Sequence, residues 1–167
     1  EKHLVKHLVR NLPLRTSAMR TLGGYANVFA IESFINELAE AGGLDPLEFR
    51  LRHLDDDRAK AVLTAMSEKL NAAPLPEGRG RGIGFAQYKN EKTYAAVGVE
   101  LSVTDAAEVR LHRVVIAADA GQVVDPDGLA AQMEGGFLQA ASWTLFEAVK
   151  FDRDGITSRD WDDYPSS

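Results

Sequence analysis

An α+β domain, with helices first and strands afterwards, is what these 167 residues predict. Three observations carry that expectation. Apolar residues between Tyr25 and Leu70 recur at three- and four-residue steps, the period of helices with one buried face. From Ile83 to Asp119 the pattern becomes alternation among β-branched and aromatic residues, as in strands. Between them lies "NAAPLPEGRGRG" (Asn71 to Gly82), rich in Pro and Gly, which breaks either period. Helices gathered ahead of strands favour α+β over an alternating parallel sheet. The expected plan is a helical part over 1–73, a linker over 74–82, and a sheet-plus-helix part over 83–167. The sheet is expected to be antiparallel or mixed, with a helix packed on it.

Taken in order, "HLVKHLVRNLPL" (His3 to Leu14) fits a short helix or an edge strand, and Pro13 ends either. Val28, Ile31, Phe34, Ile35 and Leu38 form one apolar stripe, predicting a helix over Tyr25–Ala41 that Gly42-Gly43 stops. In "LDPLEFRLRHL" (Leu44 to Leu54), Asp45 is a cap and Pro46 the first helical residue of a second helix. Asp55, Asp56 and Asp57 favour the start of a third, whose buried side carries Val62, Leu63, Met66 and Leu70. "IGFAQY", "TYAAVGVELSV" and "EVRLHRVVIAAD" are strands, the last two joined by a hairpin at "TDAAE". A further helix is expected from about Leu129 to Ala148, interrupted early by Gly135-Gly136, and then a hairpin around Asp154-Gly155. No internal repeat is visible.

Composition narrows the classes of function. Hydrophobic residues at 45% and charged residues at 26% are ordinary for a soluble globular domain. A net charge of −6 argues against general binding to nucleic acid, where phosphate neutralisation supplies most of the affinity. The first twenty residues run the other way. Lys2, Lys6, Arg10, Arg15 and Arg20 against Glu1 suit an anion, an acidic partner or a solvated basic face. Cysteine is absent, so this chain offers no disulfide, thiolate metal ligand or iron–sulfur ligand. No apolar run approaches the ~18 residues of a membrane span. A start at Glu1 and an end on "DDYPSS" suggest a piece of a longer protein.

Two stretches stand out as candidate sites. In "AMRTLGGYANVFAIESF" (Ala18 to Phe34), Arg20 and the Gly23-Gly24 pair stand in front of a helix start. Unpaired N–H groups, a forked guanidinium and side-chain-free backbone together make a seat for an anion, or a plain turn into a core helix. In "QMEGG", Gln132 offers an amide donor and acceptor, and Gly135-Gly136 let a flat group or another backbone come close. Other motifs have simpler explanations. "GRGRGIG" (Gly78 to Gly84) precedes a strand and lacks a P-loop ending, so it reads as a linker. His3 and His7 share a helical face without a third ligand, and His53 and His112 stand alone. "DPDG" (Asp125 to Gly128) lacks the later acids of a calcium loop and fits a turn with a helix cap. No nucleophile elbow is present.

At those two stretches the sequence resembles the large, molybdenum-binding subunit of the xanthine dehydrogenase/aldehyde oxidase family. Within it, the bacterial branch of isoquinoline 1-oxidoreductase and nicotinate dehydrogenase large subunits is most similar. The likeness runs through "RTSAMRTLGGYANVFAIESFINELAEAGGLDPLEFRLRHL", "GRGIGFAQYKN", "DAGQVVDPDGLAAQMEGGFLQAASWTLFEAVKFD" and "DWDDYP", nearly the whole chain. It implies a part of a molybdopterin-binding domain, working in oxidative hydroxylation of an electron-poor carbon of an N-heterocycle or aldehyde. The implied cofactor is molybdenum-molybdopterin in its cytosine dinucleotide form, with electrons leaving through 2Fe-2S clusters of a small partner subunit. Arg20, Gly23, Gly24, Gln132 and Gly135 fall at cofactor-binding positions of the family. The family's Arg-Gly-Phe-Gly-like turn reads Arg20-Thr21-Leu22-Gly23 here. Leu22 stands where xanthine-type enzymes place an aromatic ring over substrate, which speaks against purine stacking.

The departures shape the expectation as much as the matches. The family's catalytic base is a glutamate in a Gly-Glu pair, and this chain holds no such pair. Its "Gly-x-Glu-x-Gly-Gln-Gly" segment is missing too. The chain is therefore expected to be a fragment that does not turn over alone and that needs the remainder of the large subunit. Two alternatives stay open: a non-catalytic interaction module that keeps the fold, and a homo-oligomer joined through apolar helix stripes. The resemblance places the parent in the cytoplasm, or alternatively the periplasm.

Overall fold

The computed structural model describes residues 3–5, 7, 14, 20–90 and 92–164. The expected first segment lies almost wholly outside them, as do Lys2, Lys6, Arg10 and Arg15. The described residues form an α+β fold of four helices and a three-stranded antiparallel sheet. The order is α1 (Gly24–Ala41), α2 (Pro46–His53), α3 (Asp57–Leu70), β1 (Gly80–Gln87), a short 3-10 turn (Tyr88–Asn90), β2 (Tyr94–Val103), β3 (Val109–Asp119) and α4 (Pro126–Leu145). The chain divides into two compact units, Thr21–Met133 and, separately, Glu1–Arg20 with Glu134–Ser167.

In the larger unit the local signals act as their chemistry dictates. Gly42 and Gly43 close α1, with Gly43 at φ +64, a backbone region that glycine enters freely. Asp45 Oδ1 accepts from the N–H groups of Leu47 and Glu48 at 2.9 and 3.0 Å, and Pro46 opens α2. Asp56 caps α3 in the same way, accepting from Arg58 and Ala59. The strands run β1-β2-β3, each pair antiparallel, with Thr104 to Glu108 as the β2–β3 connection and Ala107 at φ 62. A register shift between Glu100 and Leu101 bends the outer end of that pair. β1 begins at Gly80, so the last residues of the Pro/Gly stretch are already paired with β2.

The core sits between α3 and one face of the sheet. Alternation along β2 turns Tyr94, Ala96, Gly98 and Glu100 inward, all buried, towards Val62, Leu63, Met66 and Leu70 of α3. The close approach depends on Gly98. A Cβ there would lie 2.5 Å from Met66 Sδ and 2.8 Å from Leu70 Cδ2. The acid on that face is neutralised in place: Arg81 donates to Glu100 Oε1 from Nη2 (2.8 Å) and Nε (3.2 Å), with Arg113 and Arg79 at 3.6 and 3.9 Å. Arg81 also donates to Ala73 O and Asn71 Oδ1, and Arg113 to the last carbonyls of α3, those of Lys69 and Leu70. The cluster thus caps α3 with cations where its dipole favours them. Arg81 first, then the two other arginines, hold the Glu100 carboxyl below its usual range against the opposing effect of desolvation.

α1 departs from a simple reading of its stripe. The helix is where periodicity puts it, but Ala39 is its one buried residue; Ile31 and Phe34 are 56% and 58% exposed. α1 is instead held by an ion pair. Glu32 Oε2 accepts from Arg50 Nη2 (2.8 Å) and Nε (3.0 Å) of α2, and from the Phe85 N–H of β1 (2.8 Å).

The helix expected over Leu129–Ala148 runs instead from Pro126 to Leu145, and Gly135-Gly136 do not interrupt it. Asp125 sets the earlier start, since its Oδ1 accepts from Gly128 N (3.0 Å) and its carbonyl from Leu129 N. Two glycines lower helix propensity by about 1 kcal/mol each, which a capped helix of five turns absorbs. In the smaller unit, Glu147 ties the helix end to the chain after it, accepting from Ser142 Oγ (2.5 Å) and Tyr164 O–H (2.8 Å). The expected hairpin is an isolated antiparallel bridge, Phe151 to Ile156, closed by Asp152 Oδ1 on the N–H groups of Asp154 and Gly155.

Candidate functional site

Of the residues singled out from sequence, Arg20 and Gly135 belong to the smaller unit, and Leu22, Gly23, Gly24 and Gln132 to the larger. Arg20 is exposed and donates from Nη1 to Gln139 Oε1 of α4 at 2.8 Å. A guanidinium carries five donors, so a single carboxamide does not exhaust it. On α4, Gly135, Gly136 and Gln139 follow Gln132 at steps of three, four and seven, which places them on one helix face. Both glycines are exposed, and a Cβ on either would meet nothing within 4 Å. In the smaller unit the helix therefore presents bare backbone one turn before Gln139. Gln139 escaped the sequence reading, although its place two turns after Gln132 was a signal that could have found it.

In the larger unit, the turn ahead of α1 is conformationally unusual. Thr21 and Leu22 both take left-handed backbone, φ 73 and 53, which costs an L-residue on the order of 1–2 kcal/mol and a β-branched one more. Glycine, which the similar family turn carries at the place of Thr21, adopts it freely. Leu22 is 61% exposed there. Gly23 is the N-cap residue of α1 and supplies no side-chain cap, and Gly24 N donates back to Thr21 O (2.9 Å).

A second group of polar residues lies at the chain's approach to α4, and sequence alone did not single it out. Asp119, last residue of β3, accepts from Arg58 Nε (2.7 Å) and Nη2 (2.6 Å) and from Gly121 N (2.9 Å). The same guanidinium lies 4.7 Å above the Tyr94 ring, and Tyr94 O–H donates to Asp56 Oδ2 (2.8 Å). The Arg58 hydrogen bonds, with that from Gly121, hold the Asp119 carboxyl down at about 2. Hydrogen bonding to Tyr94 lowers Asp56 and raises Tyr94 in turn.

A carboxyl depressed in the folded state contributes stability that is complete above its ordinary value of 3.8 and is lost as pH falls towards about 2. The urea midpoint is therefore expected to fall over that window, and less steeply in Asp119→Asn. An identical acid limb in the variant would remove Asp119 from the cause.

The remaining motifs take structural roles. Gly80 to Gly84 lie in β1, and Asp125 caps α4. His53 is hydrogen-bonded through Nδ1 to Phe49 O and stacked on the Phe49 ring, and His112 meets Ser102 Oγ at 2.8 Å. His3 and His7 are exposed. Among the described residues no three His, Asp or Glu side chains gather as a metal site requires.

Comparison with known proteins gives the family of the chain as a whole. A family model described as molybdopterin cofactor-binding domain matches residues 16–165. A nicotinate dehydrogenase subunit of Pseudomonas putida is 38% identical over 169 residues, covering 91% of this chain and 14% of its own. The beta subunit of isoquinoline 1-oxidoreductase from Brevundimonas diminuta is 32% identical over 152 residues, covering 88% and 19%. The xanthine dehydrogenase molybdenum-binding subunit of Escherichia coli O157:H7 is 39% identical over 82 residues, covering 49% and 10%. The chain thus spans less than a fifth of the length of these relatives. With the match covering nearly every residue, the chain belongs to the molybdopterin cofactor-binding domain of the xanthine dehydrogenase family.

Proposed function

We propose that this chain forms one wall of the cofactor site in a molybdenum hydroxylase large subunit, with 1–73 and 83–167 as parts of a single domain joined through 74–82. The observation that carries this is the Arg20 hydrogen bond to α4, the helix that also bears Gly135, Gly136 and Gln139. The donor set suits the group. A guanidinium binds phosphate in a forked geometry, carboxamides both donate to and accept from a pterin edge, and bare glycines leave room for a flat ring. Arg20 and Gln132 would hold the cofactor, with Gly23, Gly24 and Gly135 providing close backbone approach. Leu22 would line the substrate pocket, as an aliphatic surface in place of a stacking ring. When bound, the molybdenum cofactor supplies two-electron oxidation of an electron-poor carbon.

The substrate class is a small N-heterocycle or aldehyde; two of the relatives are named for nicotinate and isoquinoline. The cytosine dinucleotide form of the cofactor, a small subunit carrying 2Fe-2S clusters, and a cytoplasmic location complete the reading. The proton-abstracting glutamate comes from outside residues 1–167, so the chain by itself does not turn over: a base must lie within hydrogen-bond reach of its proton. Among the described residues no helix is long and apolar enough to cross a membrane.

Arg20→Ala in the full-length parent tests the reading. Loss of a charge-assisted contact costs on the order of 1.5–3 kcal/mol, about ten- to a hundredfold in affinity. Molybdenum per polypeptide, measured by elemental analysis after dialysis, is expected to fall accordingly. Unchanged occupancy would remove Arg20 from the site, and a well-folded parent without pterin or molybdenum would overturn the whole reading.

A further inference from the structure

The loop from Ala120 to Asp125 carries the chain from β3 into α4, the helix on which Gln132 stands. Its first turn is built on Asp119. One carboxylate oxygen, Oδ1, accepts both from Arg58 Nη2 (2.6 Å) and from the N–H of Gly121 (2.9 Å), while Oδ2 takes Arg58 Nε (2.7 Å). Gly121 is left-handed at φ +73, which the hydrogen bond to Asp119 closes into a tight turn. Arg58 is itself fixed from two sides. It sits in the first turn of α3, whose cap is Asp56, and lies over the ring of Tyr94, whose hydroxyl binds the same Asp56. A rigid arrangement of α3 and β2 therefore decides where the guanidinium points, and the guanidinium decides where the carboxylate that shapes the loop is held. The next side-chain anchor along the loop is Asp125, which caps the helix.

We infer that Arg58 is a positioning residue for the cofactor site: through Asp119 and the Gly121 turn it sets the path by which α4, and with it Gln132, is delivered. The inference rests on the cofactor reading above. It assigns a role to a residue far along the chain from either cofactor stretch, and it does so through geometry. A planar fork holding both carboxylate oxygens fixes an orientation, which a lysine's single ammonium cannot do.

The test is made in the full-length parent, with molybdenum per polypeptide as one readout and hydrogen exchange of the apoprotein as the other. Arg58→Lys keeps the charge and loses the fork. Gly121→Ala keeps the ion pair, since its Cβ would meet Arg58 Nη2 at an ordinary 3.9 Å, but strains the left-handed turn. Both are expected to lower molybdenum retention about tenfold and to speed exchange at Gly121–Val124, with β2 and β3 amides unchanged. Leu70→Ala, which opens a cavity at the far end of α3 without touching the loop or the groups that hold Arg58, is expected to retain the metal. Wild-type retention in both loop variants overturns the inference. So does an equal loss in Leu70→Ala, the signature of general destabilisation. A wild-type parent that folds without molybdenum overturns the cofactor reading first.

Discussion

Arg50→Met is expected to destabilise the domain by about 3–5 kcal/mol, the usual consequence of removing one partner from a buried ion pair. Arg50 is 3% exposed, and its guanidinium makes bonds to Glu32 Oε2, to Glu32 O and to Pro46 O. Its removal leaves the Glu32 carboxylate, 14% exposed, with the Phe85 N–H as its remaining partner among the described residues. The cost comes from the stranded charge more than from the lost attraction. Converting Glu32 to Gln in the Arg50→Met background is therefore expected to recover part of the loss. The surface pair Arg52–Glu48 provides the contrast: both side chains are at least half exposed, and Arg52→Met should cost no more than about 0.5 kcal/mol. Urea denaturation reads all three. An Arg50→Met cost as small as that of Arg52→Met would show that α1 and α2 are held by something else.

Met66→Ala is the second large effect, expected at about 2–5 kcal/mol because the side chain is fully buried and the sheet cannot collapse onto the space it leaves. Gly98 lies directly opposite. In the native protein Gly98→Ala should cost about 1–3 kcal/mol, since its Cβ would stand 2.5 Å from the Sδ of the fully buried Met66. In the Met66→Ala background the same methyl loses its closest clash, and part of that penalty should vanish, the rest being the contact with Leu70 Cδ2. Non-additivity is the readout. Equal costs of Gly98→Ala in both backgrounds would place the crowding elsewhere, with Leu70 Cδ2 at 2.8 Å the next nearest atom.

These effects show where sequence reading succeeds and where it stops. The cap at Asp45, the acidic start of α3, the Pro46 start, the Gly42-Gly43 stop and the "TDAAE" connection act within a few residues, and each was legible for that reason. The inward set on α3 was legible because a helix repeats its face every three to four residues. β2 held a signal that went unused: in Tyr94, Ala96, Gly98, Glu100 the alternation brings an acid inward, which demands cationic partners. For the candidate site, the Arg20 turn and the Gln132 stretch were singled out from their residue types before any family likeness was drawn, whereas Gln139 and Arg58 were not singled out.

By itself, then, the sequence determined the α+β class, the places of α1 to α3 and of the three strands, the Asp45 cap and the family, because each is written in short-range periodicity or in contiguous motifs. Only the tertiary structure decided that Glu32 binds the Phe85 N–H 53 residues away, and that Arg58 meets Asp119 across 61. It alone also showed that α1 leaves Phe34 exposed and that glycines do not break α4. The α4 glycines are absorbed locally, by the Asp125 cap and the length of the helix; the other three share one physical reason. A hydrogen bond or a packed face depends on which distant backbone arrives opposite, and no pattern local to either partner encodes that arrival.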